Sequence, residues 1–159
     1  MTNTVMLPIK KQDAVTAKYL FALFIEMTAF ILCALLTLIR MKSLGNTAPY
    51  VANPMMNANP AYLGYIMMIF AAFNCIFIAG FFKTTYKIGK PFRIFCIISL
   101  SIIIMGETLH HIPRWENLND SANITAAQIV ILTAGIIVFL ACTWFSYQKA
   151  VKDFEKIDL

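Results

Sequence analysis

The sequence predicts an all-α, polytopic membrane protein with four transmembrane helices, preceded by a short amphipathic helix on the cytoplasmic side. Three observations carry this expectation. Of the 159 residues, 60% are hydrophobic and 13% charged, whereas a soluble domain carries about 25% charge. Four apolar blocks, 19–40, 62–82, 94–110 and 124–147, come close to or exceed the roughly 20 helical residues that cross a hydrocarbon core. The basic residues fall in alternate connections. Lys10, Lys11 and Lys18 precede the first block, Lys83, Lys87, Lys90 and Arg93 join the second to the third, and Lys149, Lys152 and Lys156 follow the fourth. Only Arg40, Lys42 and Arg114 lie on the other side. By the positive-inside rule both termini and the basic loop face the cytoplasm of a cell membrane.

Taken in order, 1–18 is an N-terminal segment that leads into the first span, 19–40. The external loop 41–61 is rich in Asn and holds Pro49, Pro54 and Pro60, a composition of irregular chain. The second span, 62–82, and the third, 94–110, flank the basic loop 83–93. The third block is short and draws on Pro91 to Arg93 and His110 as interfacial turns. The second external loop, 111–123, offers Ser121 or Asn123 as the cap of the fourth span, 124–147, and 148–159 forms a cytoplasmic tail. Tyr62, Tyr65, Trp115, Trp144 and Tyr147 fall near span ends, where amphipathic rings favour the headgroup zone. No cleavable signal peptide is expected.

Composition excludes several classes. The net charge of +5 follows the membrane topology and implies no nucleic-acid partner. Cys33, Cys75, Cys96 and Cys142 sit in four different spans and form no dithiol or zinc motif. No phosphate loop, nucleophile elbow or pair of catalytic carboxylates is present, so the chain is expected not to be an enzyme and to need no cofactor. Any ATP hydrolysis belongs to a partner.

Polar residues within spans are costly and mark candidate sites. Glu26, about two turns into the first span, either lines a pathway or pairs with Lys18 or a base of the middle loop. Asn74, near the middle of the second span, is of the type that binds one helix to another. Ala71, Ala72 and Gly80 offer a small-residue surface for a neighbouring helix or a second copy. Glu107, His110 and His111 cluster at the outer end of the third span. Adjacent helical positions diverge by about 100°, which argues against both histidines binding one metal and leaves a pathway mouth or a solvated helix end.

The stretch "MLPIKKQDAVTAKYLFALF" raises a different possibility. Pro8 suits the first turn of a helix, and Lys10, Lys11, Gln12 and Asp13 form a polar tip ahead of the first span. On its residues alone this is an interfacial helix with lysines on lipid headgroups. Its wording, Leu-Pro, a few polar residues, then Ala17, Lys18, Tyr19 and Leu20, resembles the cytoplasmic coupling segment of small bacterial ABC-2 type permeases. The run "GYIMMIFAAFNCIFIAGFFKTTYKIGKPFRIFCIISL" also looks like that family. The resemblance starts at the coupling segment and leaves out the first two of the usual six helices. It implies a permease subunit of an exporter of peptide, toxin or drug-like substrates, driven by a separate ATP-binding subunit that meets Leu7, Pro8, Ile9, Lys10, Lys11, Gln12 and Asp13. Assembly as a homo- or hetero-oligomer follows from the same likeness. The alternatives are a non-transporting membrane interaction protein, such as an immunity or accessory subunit, and a small redox subunit using His110 or His111.

Overall fold

The computed structural model describes residues 10–48, 55–84 and 87–156. Its four long helices are α1 (Lys11–Leu44), α2 (Pro60–Lys83), α3 (Gly89–Leu109) and α4 (Ala126–Glu155), each long and apolar enough to cross a membrane. No strand occurs among the described residues. The protein is therefore an all-helical, multi-pass membrane protein.

Local chemistry sets the helix boundaries. α1 begins after Lys10, whose backbone is extended, and Asp13 in its first turn suits the positive end of the helix dipole. It then runs without a break for 34 residues, or roughly 50 Å at 1.5 Å per residue, well beyond the thickness of a hydrocarbon core. α2 starts at Pro60, where a missing N–H costs nothing, and the Asn59 side chain accepts a hydrogen bond from the Tyr62 N–H. α3 starts earlier than expected, at Gly89, because Pro91 falls in the first turn, where no backbone donor is needed. That turn supplies the length the apolar block lacked.

The cap of α4 is neither Ser121 nor Asn123, as the loop sequence had suggested, but Thr125. Its hydroxyl accepts from the Gln128 N–H, while the Gln128 side chain accepts from the Thr125 N–H, a reciprocal capping box. Ser121 donates instead to the Gly45 carbonyl at 3.0 Å, and the Asn123 N–H is taken by Asp120.

α2 and α4 form the central and most extensive pairing. They cross at two glycines: a Cβ on Gly135 would meet the Gly64 carbonyl oxygen at 2.3 Å, and one on Gly64 would meet the Ile131 oxygen at 2.6 Å. Only glycine lets the two backbones approach so closely. α1 lies against α4 and α2, and α3 packs on α2. Of the two uses expected for the small-residue surface, a neighbouring helix or a second copy, the structure shows the first. Ala71 packs with Met67 and Phe139, and Gly80 lies against Pro91.

Among the described residues, three apolar clusters hold the bundle. At the end that carries the termini, Val15, Tyr19, Ile78, Phe82, Ala150 and Phe154 meet. Met67, Ala71 and Phe139 fill the middle, and Ala61, Tyr65 and Leu118 the loop end. Tyr65 is thus not a headgroup anchor: it is 7% exposed, with its ring edge against Gly106. Outward-facing Phe21, Phe24, Leu36, Ile97, Val130 and Phe145 are exposed, as lipid-facing positions should be.

Candidate functional site

α2 departs from regular helix at its centre. Phe73–Ile78 is a π-helical segment, in which each N–H reaches back five residues and not four. The widened turn presents the Asn74 carbonyl and side chain toward α1 and α4. Ser146 of α4 donates to the Asn74 carbonyl at 2.6 Å, and Tyr19 of α1 donates to the Ser146 hydroxyl at 2.6 Å. The Asn74 amide group gives one hydrogen to the Glu26 carboxyl (Nδ2 to Oε2, 3.1 Å) and the other to the Thr143 hydroxyl at 2.9 Å. Three helices are thereby joined through one side chain, buried completely, with Glu26 5% exposed. Bonds of this kind between membrane helices average about 0.6 kcal/mol each.

Glu26 therefore pairs with Asn74 and not with Lys18. The Lys18 ammonium sits 4.9 Å above the centre of the Phe81 ring, where the π face attracts a cation. Both residues line an apolar groove of about 480 Å³ between α1 and the π-helical stretch, closed by Phe21, Phe73, Phe77 and Ile88.

Below the cluster, α1 ends in its polar tip. Leu7, Pro8 and Ile9 lie outside the described residues. Lys10, Gln12 and Asp13 are exposed and Lys11 is half-buried. Two residues on, Val15 is fully buried against the terminal end of α4, and the Tyr147 hydroxyl bonds Thr16 at 3.0 Å. The tip is thus seated on α4 as well as being continuous with α1.

At the loop end, Glu107 accepts from the Met56 N–H at 2.9 Å and so fastens the first loop to α3. His110 and His111 lie past the end of α3, so the divergence of adjacent helical positions does not apply to them. Their rings approach to 4.0 Å between centres. Among the described residues no three His, Cys, Asp or Glu side chains converge as a metal site would need. Around them a polar lid joins the two loops. Asn57 donates twice to Asn119, from its backbone N–H to the side-chain oxygen and from its amide group to the backbone carbonyl, Asn59 donates to the Leu118 carbonyl at 2.7 Å, and Gln128 donates to the Asp120 carbonyl at 2.8 Å. Arg40 of α1 reaches Asn57 at 3.2 Å.

Residues 2–155 match the family model described as ABC-2 family transporter protein. The chain belongs to the ABC-2 transporter family. Comparison with curated proteins and with solved structures returned no match. Membership makes this ABC-2 chain a membrane permease of an ABC transporter and not the catalytic subunit, and the family implies work beside an ATP-binding subunit in the bilayer.

Thr143 and Ser146 of the ABC-2 chain's polar core were not singled out from sequence, and Tyr19 was named only as part of the coupling-type motif. Thr143 and Ser146 are three apart on one face of α4, and Tyr19 stands two turns before Glu26 on one face of α1. That spacing of polar groups inside apolar spans was the available signal. Asn57, Asn59, Asn119 and Gln128 of the lid carried no comparable pattern.

Proposed function

We propose that this chain is the membrane-spanning subunit of an ABC-type exporter of peptide, toxin or drug-like substrates, and that a separate ATPase docks on Lys10, Lys11, Gln12 and Asp13, with Leu7, Pro8 and Ile9 completing the contact. Both termini face the cytoplasm in this reading, and the chain works as an oligomer with other membrane subunits. The observation that carries it is the unbroken run of α1 from this exposed tip through the membrane, together with the seating of Val15 and Thr16 on α4. A push on the tip is transmitted to two helices at once, because an α-helix is stiff along its axis. It then reaches the polar core around Asn74, where α1, α2 and α4 are joined.

Replacing Lys10, Lys11, Gln12 and Asp13 together by Ala tests the assignment, since it strips polar groups from the tip and leaves the seat at Val15 untouched. Pull-down from native membranes in mild detergent should recover a nucleotide-binding protein with the parent and lose it with the variant, at equal surface expression. If the parent recovers none, the exporter reading falls and an accessory or immunity role takes its place. In that case the variant should lose only affinity for anionic lipid, about 1 kcal/mol per lysine.

A further inference from the structure

The hydrogen-bond arrangement around Asn74 has two acceptors left over. Among the described residues Glu26 Oε1 and Asn74 Oδ1 are both shielded from water and have no partner, although the same two side chains are joined through Oε2 and Nδ2. Buried acceptors are rarely left this way. Asn74 spends both amide hydrogens on Glu26 and Thr143, Ser146 spends its own on the Asn74 carbonyl, and Tyr19 spends its own on Ser146, so none of these three side chains has a hydrogen left for the two acceptors. An ionised carboxyl supplies no hydrogen and is costly inside a span. A neutral carboxyl supplies one.

We propose that Glu26 is a proton-binding site, held as the carboxylic acid, whose hydroxyl on Oε1 donates to Asn74 Oδ1 while Oε2 accepts from Nδ2. Acid and primary amide are complementary in this way, and one proton satisfies both leftover atoms. The groups that face Glu26 are compatible with it. Lys18, on α1, is turned to Phe81; Tyr19 on α1 and Thr143 and Ser146 on α4 bring hydroxyl groups to the cluster; and apolar Ile88, just ahead of α3, lines the groove. Loss of the proton would set a negative charge against a carbonyl oxygen and loosen α1 from the π-helical segment. The attachment of α1 is thereby proton-dependent, a property independent of whether an ATPase docks at its tip.

Infrared spectroscopy of the full chain in lipid reads this directly. Glutamate labelled isotopically at its side-chain carboxyl carbon separates Glu from Asp, and Glu107, Glu116 and Glu155 are less buried than Glu26. The expected result at neutral pH is a label-sensitive carbonyl band of a protonated carboxyl group, lost in Glu26→Gln. Gln keeps both hydrogen bonds to Asn74, so that variant should insert and fold. Absence of a label-sensitive band in the parent overturns the proposal, and this measurement needs no variant. A band that persists in Glu26→Gln belongs to another glutamate and overturns it equally.

Discussion

Gly135→Ala puts one methyl group at the tightest point of the bundle. Its Cβ would lie 2.3 Å from the Gly64 oxygen and 2.9 Å from the Gly64 Cα, both backbone atoms that cannot rotate away. Ordinary contact begins near 3.4 Å, so α2 and α4 must separate by about 1 Å, a gap at which neighbouring contacts forfeit up to half of their attraction. Since this is the most extensive pairing in the molecule, the cost belongs at the upper end of overpacking effects, about 2–3 kcal/mol, or roughly 30- to 150-fold in the folding equilibrium. Reversible unfolding in mixed micelles, with the denaturing detergent as titrant, measures it. The same substitution elsewhere forms a graded series. Gly64→Ala should rank next, since Ile131 and Leu132 backbone atoms lie within 2.9 Å; Gly106→Ala should be mild, since the nearest atoms are 3.2 Å away on the Tyr65 ring; and Gly89→Ala meets nothing within 4 Å and should be neutral or slightly stabilising. A Gly135→Ala protein within about 0.5 kcal/mol of the parent, against the spread expected for overpacking, would refute the close crossing of α2 and α4.

Two further outcomes are expected, the first from the proposed orientation and the second from the loop geometry. Single cysteines at Lys10, Lys87 and Lys152 should resist an impermeant thiol reagent applied outside sealed cells, whereas one at Asn119 should react; labelling at Lys87 would reverse the proposed orientation. The backbone N–H groups of Asn123 and Ala122 hold the Asp120 carboxyl below its ordinary range. The folded loop therefore binds that proton more weakly than the unfolded chain, and the contribution is present above the ordinary Asp range and lost as pH falls through the lowered folded value. Titration of the Ala122 and Asn123 amide resonances should show a midpoint below that of a free Asp, and a midpoint at or above it would remove the contribution.

What was legible in the sequence is what depends on hydropathy alone. The four spans were visible because apolar length is a local property, and the polar first turn of α1 because nothing in 10–18 breaks a helix. Partnerships between spans were not visible, because they depend on which faces meet. Glu26 suggests Lys18 when only charges are considered, yet the π-helical turn brings Asn74 to it. Ala71, Ala72 and Gly80 advertise a packing face, but the crossing that needs the least bulk falls at Gly64 and Gly135, which lie outside that run. The Asn-rich loop does read as irregular chain, while its bonds to Asn119 and Leu118 join two loops far apart along the chain, which no local pattern encodes.

The π-helical segment also sets the phase of α2. Such a turn is equivalent to a single residue inserted into an ordinary α-helix, and it rotates the half of the helix beyond it by about 100° relative to the half before it. Pro60–Ala72 faces α4 through Gly64, while Ala79–Lys83 turns Phe82 onto Phe154 and Gly80 onto Pro91. Both halves of one helix therefore address their neighbours correctly only because they are out of step. Deleting one residue within Phe73–Ile78 would restore regular hydrogen bonding and, by bringing the halves back into step, swing Phe82 away from the aromatic contact that anchors the terminal end.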